Sequence, residues 1–265
     1  MDGSPVNILQ ISDIHIYADK KAELLGVKTL DSFQGVTALI KKNNVNPDVI
    51  ILSGDLSQDG TEASYLHIAE QLQEFNVPVY YVPGNHDDPK VLTRIFPRNN
   101  ISSHKHVVLK SWQLILLNSQ KIGAVEGFLD RSQLNFLQHC LQRYSEHHAL
   151  VILHHPPVPV GSAWLDKIGL SNPKEFWDIA MRYPKLAAVA FGHVHQEFSQ
   201  KVNGIQCYAV PATCVQFKTQ QHDFALENLP PGYRLFELSD NGALQTSVYR
   251  CAEYVGKFLE QAQGY

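Results

Sequence analysis

The sequence has no apolar run long enough to cross a bilayer. Its longest, Leu186 to Phe191, is six residues, against the roughly 20 that a spanning helix needs. It also lacks a basic excess, since Lys+Arg 22 against Asp+Glu 26 gives a formal net charge of -4. Neither a nucleic-acid polymer nor a membrane is therefore an expected partner. Cysteine is scarce: Cys140, Cys207, Cys214 and Cys251 form no CxxC pair, which speaks for reduced, buried thiols in a cytoplasmic protein rather than a disulfide framework. Asp2 stands where a signal peptide would be basic, and strand-like sequence begins by Val6, so no leader is expected. No linker, repeat or low-complexity stretch divides the chain, so one domain is expected over 1–265. With 44% hydrophobic and 18% charged residues, a sizeable core is available and general disorder is excluded.

Short apolar runs alternate with segments of helical periodicity. The runs are Val6–Ile11, Val49–Leu52, Val77–Val82, Leu114–Leu117, Ala149–Leu153 and Leu186–Phe191; their length and β-branched content predict buried strands. Leu30, Phe33, Val36 and Ile40 recur at helical spacing, as do Tyr65, Ile68, Ala69 and Leu72 behind a candidate N-cap, Thr61. Asp130 and Gln133 resemble a capping pair for a helix carrying Leu134, Leu137 and Leu141. This alternation predicts an α/β fold with a largely parallel sheet. After residue 195 the pattern changes to strand pairs joined by Asn203-Gly204 and Asn241-Gly242, which are hairpin signals. The expectation is that 196–250 forms an antiparallel second sheet of the same domain. Two stretches, 155–173 and 216–232, read as long loops.

Polar residues concentrate directly after the runs. Asp13-Ile14-His15, Gly54-Asp55, Gly84-Asn85-His86-Asp87, His154-His155 and Gly192-His193-Val194-His195 each follow one strand-like segment. In an open parallel sheet the carboxyl ends of strands line one crevice. Five strand ends would thus deliver Asp13, His15, Asp55, Asn85, His154, His193 and His195 to one place. Residues two apart in extended backbone point the same way, which would pair Asp13 with His15 and His193 with His195. Imidazole, carboxylate and amide donors without thiolate suit manganese, iron, cobalt or zinc. Seven donors exceed one tetrahedral ion and suit two ions sharing a carboxylate. Any one fragment alone is an ordinary turn or cap; their conjunction behind five strands points to a metal site.

The five blocks resemble the calcineurin-like metallophosphoesterases, whose pattern D-x-H, G-D, G-N-H-D/E, H and G-H-x-H is met over residues 8–195. The resemblance implies a four-layer α/β/β/α sandwich. Within the family the chain is similar to the bacterial class III cyclic-nucleotide phosphodiesterases, through Leu24-Leu25-Gly26-Val27, Trp164-Leu165-Asp166, Thr213-Cys214-Val215-Gln216-Phe217-Lys218, Asp223-Phe224 and Pro231-Gly232-Tyr233-Arg234. Asn118 departs from the aspartate expected there. The resemblance implies one metal on Asp13, His15, Asp55 and His195 and a second on Asp55, Asn85, His154 and His193. Family habit suggests iron and manganese, with zinc or cobalt compatible. His155 competes with His154 for its place.

The implied reaction is hydrolysis of 3′,5′-cyclic AMP to 5′-AMP by in-line attack of a metal-bridging hydroxide, with His86 protonating the leaving oxygen. His15, Asp55, Asn85, His86 and His195 would meet the substrate. Other phosphodiesters, a phosphomonoester, or a catalytically silent scaffold are the alternatives, and a homodimer is compatible with the sequence. Asp59 would either hold a ligand histidine in its working tautomer or cap a helix. Trp164 would stack on a nucleobase or pack in the core, and Gln216 and Phe217 are left without a role.

Overall fold

The computed structural model describes residues 4–252, 262 and 264; the remainder of the 1–265 span expected to form one domain, Asp2 included, lies outside the described residues. Two six-stranded mixed sheets carry the fold. In the first, Val6–Ile11, Val49–Ser53, Val79–Val82 and Ile101–Ser102 run parallel, and Gly232–Leu238 and Leu244–Arg250 extend the edge antiparallel. In the second, Trp112–Leu116, His148–Ile152, Leu186–Phe191 and Ile205–Ala209 run parallel, edged by His106–Leu109 and Phe198–Val202.

Three apolar clusters account for the layering. Ile8, Ile51, Leu114, Ile152 and Phe236 come from the facing sheets and pack together between them. Leu30, Phe33, Val36 and Ile40 seat helix Thr29–Lys42 on the outer face of the first sheet, beside Tyr65, Ile68 and Leu72 of helix Glu62–Leu72. Helices Arg131–Arg143 and Pro173–Ala180 cover the second sheet through Leu137, Leu141 and Phe176. A sheet buried on both faces needs continuous apolar strands, which these sequences supply. Thr61 caps its helix by accepting from the Ser64 N–H, and Asp130 accepts from the Gln133 N–H. The Gln133 amide does not close a capping box: its Oε1 accepts from the Asn118 N–H instead.

The tail departs from expectation. It is not the second sheet; it is divided, Phe198–Val202 and Ile205–Ala209 joining one sheet and Gly232–Leu238 and Leu244–Arg250 the other. The turn dipeptides specify each hairpin locally, but the sheet edge a hairpin joins is decided by distant strands. The two stretches read as long loops also carry short elements: a helical turn at Ala163–Asp166 and the paired segments Gln216–Phe217 and Leu226–Glu227.

Buried polar side chains fix the sheets relative to each other beneath the strand ends. Gln10 Nε2 in the first sheet donates to Ser53 Oγ and to the Phe191 carbonyl of the second. Arg234 donates to the carbonyls of Ala209 and Phe198, again across the gap. A buried donor without its acceptor costs about 1–3 kcal/mol, so such bonds specify one sheet alignment. Among the described residues no helix is long and apolar enough to cross a membrane.

Candidate metal and active site

Each site residue lies two to four positions beyond a strand terminus, at the edge where the parallel strands of both sheets end. The backbone there is not extended, contrary to the simple two-residue periodicity. Asp13 (φ 54), His15 (φ 51), Asp55 (φ 48), His193 (φ 68) and His195 (φ 47) all occupy the left-handed region. Such conformations cost roughly 1–3 kcal/mol each for non-glycine residues and cluster at functional sites. They are held by backbone bonds between the loops: Asp13 N–H donates to the Gly54 carbonyl, and Ile14 and His15 N–H both donate to the Asp55 carbonyl. Gly54 has no substitute, because at φ +101 a Cβ would stand 2.2 Å from His154 Nδ1.

The side chains form two adjoining groups. In one, His195 Nε2 lies 3.2 Å from His15 Nε2 and 3.5 Å from Asp13 Oδ1. In the other, His154 Nε2 lies 3.2 Å from His193 Nδ1 and 3.3 Å from Asn85 Oδ1. Asp55 stands between them, its Oδ2 3.2 Å from His154 Nε2 and 3.8 Å from His15 Nε2. Donor atoms of Asp13, Asp55 and His154 fall within 4.8 Å of one another, as do those of His15, Asp55 and His86. His86 is half-buried at the rim; its N–H donates to Asp55 Oδ1 and its ring meets the His15 ring edge-on at 5.0 Å.

The tautomers of three histidines follow from their outer partners. His15 Nδ1 donates to Gln58 Oε1 at 2.5 Å, His154 Nδ1 to the Ser53 carbonyl at 2.8 Å and His195 Nδ1 to the Val215 carbonyl at 2.9 Å. In all three, Nε2 is turned to the centre. This is the arrangement by which metal-binding histidines are oriented. Phe217 covers the His195 ring in a parallel stack at 4.2 Å.

Burial dominates the electrostatics. It holds His15 down to about 4 and His193 to about 3, and keeps His195 well below the ordinary imidazole range. Burial likewise raises Asp13 to about 7. Against the same desolvation, the negative charge of Asp55 lifts His154 to about 9, and Asp55 itself, despite burial, is pulled well below its usual range by His154. Without a metal, then, one proton on His154 supplies the positive charge that this buried pair demands. Asp55 Oδ2 is fully buried and has no partner beyond the imidazole nitrogens of His154 and His15 that face it. A buried carboxylate oxygen left among imidazole nitrogens and an amide oxygen fits divalent cations.

The structure separates the adjacent histidines. His155 commits both ring nitrogens to the 119–128 segment, Nδ1 accepting from Ser119 Oγ at 2.8 Å and Nε2 donating to the Val125 carbonyl at 3.0 Å, although a nitrogen of its ring lies within 4.8 Å of those of His154 and His193. Asp59 touches no histidine; it accepts from the Ala18 and Thr61 N–H groups and from Ser57 Oγ. The oxygen that orients His15 belongs to Gln58, which sequence reading missed, since an amide in a Gly/Asp turn has no distinctive spacing. Asp87, next in the chain to His86, holds the turn. It gathers the N–H groups of Leu56, Ser57 and Gly84 and the Tyr65 hydroxyl. Trp164 packs edge-on against Phe217 and Phe224, the core alternative. Asn118, the family departure, accepts from the Gln120 N–H.

A family model described as calcineurin-like phosphoesterase matches residues 6–197. The chain is 41% identical over 255 residues to the 3′,5′-cyclic adenosine monophosphate phosphodiesterase CpdA of Vibrio vulnificus, covering 96% of this chain and 92% of that protein. It is 39% identical over 249 residues to the Escherichia coli K12 protein of the same name, covering 94% and 90%. Among solved structures, a dimetal phosphatase from Danio rerio has the same fold, with a TM-score of 0.66 at 13% identity over 94% of this chain and 100% of that one. A sandwich whose strand ends gather these donors, matched by that family model over most of its length, places the chain in the calcineurin-like phosphoesterase family.

Proposed function

We propose that the chain is a metal-dependent phosphodiesterase that hydrolyses 3′,5′-cyclic AMP to 5′-AMP. The observation that carries this reading is the gathering of seven metal-type donors at the strand ends, with half-buried His86 beside two of them, His15 and Asp55, in a chain whose near-full-length relatives bear that activity in their names. Asp13, His15, Asp55 and His195 would hold one metal ion, and Asp55, Asn85, His154 and His193 the other. Iron and manganese are the proposed pair. When bound, the ions supply charge that draws a phosphate anion and lowers the pKa of water.

The chain's own groups supply the rest. Gln58, Ser53 and Val215 hold the His15, His154 and His195 imidazoles in fixed tautomers. Asn85 and Asp55 place His86 at the mouth of the site. His86 donates a proton to the 3′ oxygen as its bond to phosphorus breaks, so that the leaving group departs as a hydroxyl. The four cysteines are unpaired and buried, in keeping with a cytoplasmic setting.

The test is turnover by the metal-loaded protein of cyclic AMP, cyclic GMP, 2′,3′-cyclic AMP, a glycerophosphodiester and 5′-AMP, with metal counted per chain. The expected result is two equivalents of metal and preference for cyclic AMP with 5′-AMP as product. Preference for the glycerophosphodiester or the monoester overturns the substrate, and absence of any turnover overturns the enzyme.

A further inference from the structure

A cleft of about 340 Å³ opens beside the metal centre; Gln58, Asn85, His86, Gln120, Ile122 and Gly123 line it together with the acidic residues Asp59, Asp87 and Asp88 of the neighbouring turns. Three of these residues come from segment 119–128, which closes on itself. Phe128 N–H donates to the Ser119 carbonyl, and Lys121 pairs with Glu126. Gln120 Nε2 donates to the Asp87 carbonyl, tying the segment to the turn that carries His86. From beneath, His155 bonds Ser119 Oγ with one ring nitrogen and the Val125 carbonyl with the other. The ring lies so close under Gly127 that a Cβ there would meet it at 2.3 Å. The His-His pair therefore sends one imidazole to the metal centre and uses the next to set the height of this loop over it.

At the loop's apex Ile122 is 82% exposed. It adds nothing to the core, and the bonds above already hold the loop. An isoleucine presented to solvent on a pinned loop, at the lip of a cleft, is an apolar surface for a ligand. We propose that segment 119–128, positioned by His155, is the nucleobase-side wall of the substrate cleft, and that Ile122 is the residue that meets the base. The proposal rests on the cyclic-nucleotide reading above.

The occupant follows from continuity with the centre. A phosphate held beside Asn85 and His86 directs its sugar and base into the cleft those two residues line. The larger cleft, of about 560 Å³, is less suited: it reaches the centre only through His195, whose ring is covered by Phe217. Isoleucine offers no hydrogen bond, and Gln120 commits one of its amide N–H groups to the Asp87 carbonyl. The contact made by Ile122 therefore reads a flat apolar face, as either purine presents.

The experiment compares kcat/KM of the metal-loaded protein for 3′,5′-cyclic AMP and for the base-free ribose 3′,5′-cyclic phosphate. Ile122→Ala is expected to lower the ratio of the two by roughly tenfold, mainly through KM for cyclic AMP, as for the loss of an apolar contact. Ile122→Leu is expected to restore it. A ratio within twofold of wild type in Ile122→Ala, with cyclic AMP still turned over, overturns the wall while leaving the activity intact. Failure of the wild-type protein to hydrolyse cyclic AMP overturns the activity and the wall with it.

Discussion

If His154 holds metal and His155 holds segment 119–128, as proposed, alanine substitutions should separate these two neighbouring side chains. His155 is fully buried and makes two hydrogen bonds to segment 119–128. Each such bond contributes about 0.5–1.5 kcal/mol net, and the ring's packing under Gly127 adds a cavity term, so His155→Ala should cost about 3 kcal/mol. For a chain of 265 residues that corresponds to a fall in Tm of about 6–12 °C. Its metal content should not change. His154→Ala removes a nitrogen placed 3.2 Å from Asp55 Oδ2 and 3.3 Å from Asn85 Oδ1, and should cost one metal equivalent. Ligand binding stabilises the folded state by RT ln(1 + [L]/Kd), so the rise in Tm on adding manganese should shrink in His154→Ala and persist in His155→Ala. Differential scanning calorimetry with and without the metal, alongside elemental analysis of dialysed protein, measures both. An unchanged Tm in His155→Ala together with a lost metal equivalent would refute the assignment.

His86→Ala should retain both metals while kcat for cyclic AMP falls by about 10²- to 10⁴-fold, the range of a general acid; activity within twofold of the parent removes that role. Gln58→Ala releases the Nδ1 partner of His15, so manganese affinity should weaken by about 10- to 100-fold, read by metal titration, with Gln58→Glu recovering part of it. Lys105 supplies the pH test. Burial pushes it down to about 8, where it donates to the Tyr81 carbonyl. Because its folded pKa lies below the unfolded value, the unfolded chain binds more protons between about 8 and 10.5, and stability gains from this group as pH rises through that window. Urea unfolding of wild type against Lys105→Met should show the wild type gaining relative stability from pH 8 to 10; a flat difference contradicts the burial of the ammonium.

Much of the site was legible because metal chemistry restricts residue type so strongly. Few side chains offer a hard oxygen or an imidazole nitrogen, and five such fragments behind five apolar runs leave little else to conclude. The strands themselves were readable to within a residue or two, since a strand buried on both faces must be apolar throughout. His154 and His155 mark where the reading stopped. Both follow the same strand, both are buried, and only the direction of each ring distinguishes them. Direction is set by partners on other segments, the Ser53 carbonyl for His154 and Ser119 and Val125 for His155, which no residue type at 154 or 155 announces. Gln58 was invisible for a related reason. Its value lies wholly in the position of His15, a residue 43 places away in the chain.

By itself, then, the amino-acid order determined the periodicities, the turn dipeptides, the list of donors and the resemblance to a phosphoesterase family, because each is a property of short segments. Tertiary structure alone decided which sheet took each C-terminal hairpin, which nitrogen of each imidazole was committed outward, and that a loop with an exposed isoleucine stands over His86. Those outcomes depend on contacts between segments far apart in the chain, whose free energies are settled only when both sheets close on a common core.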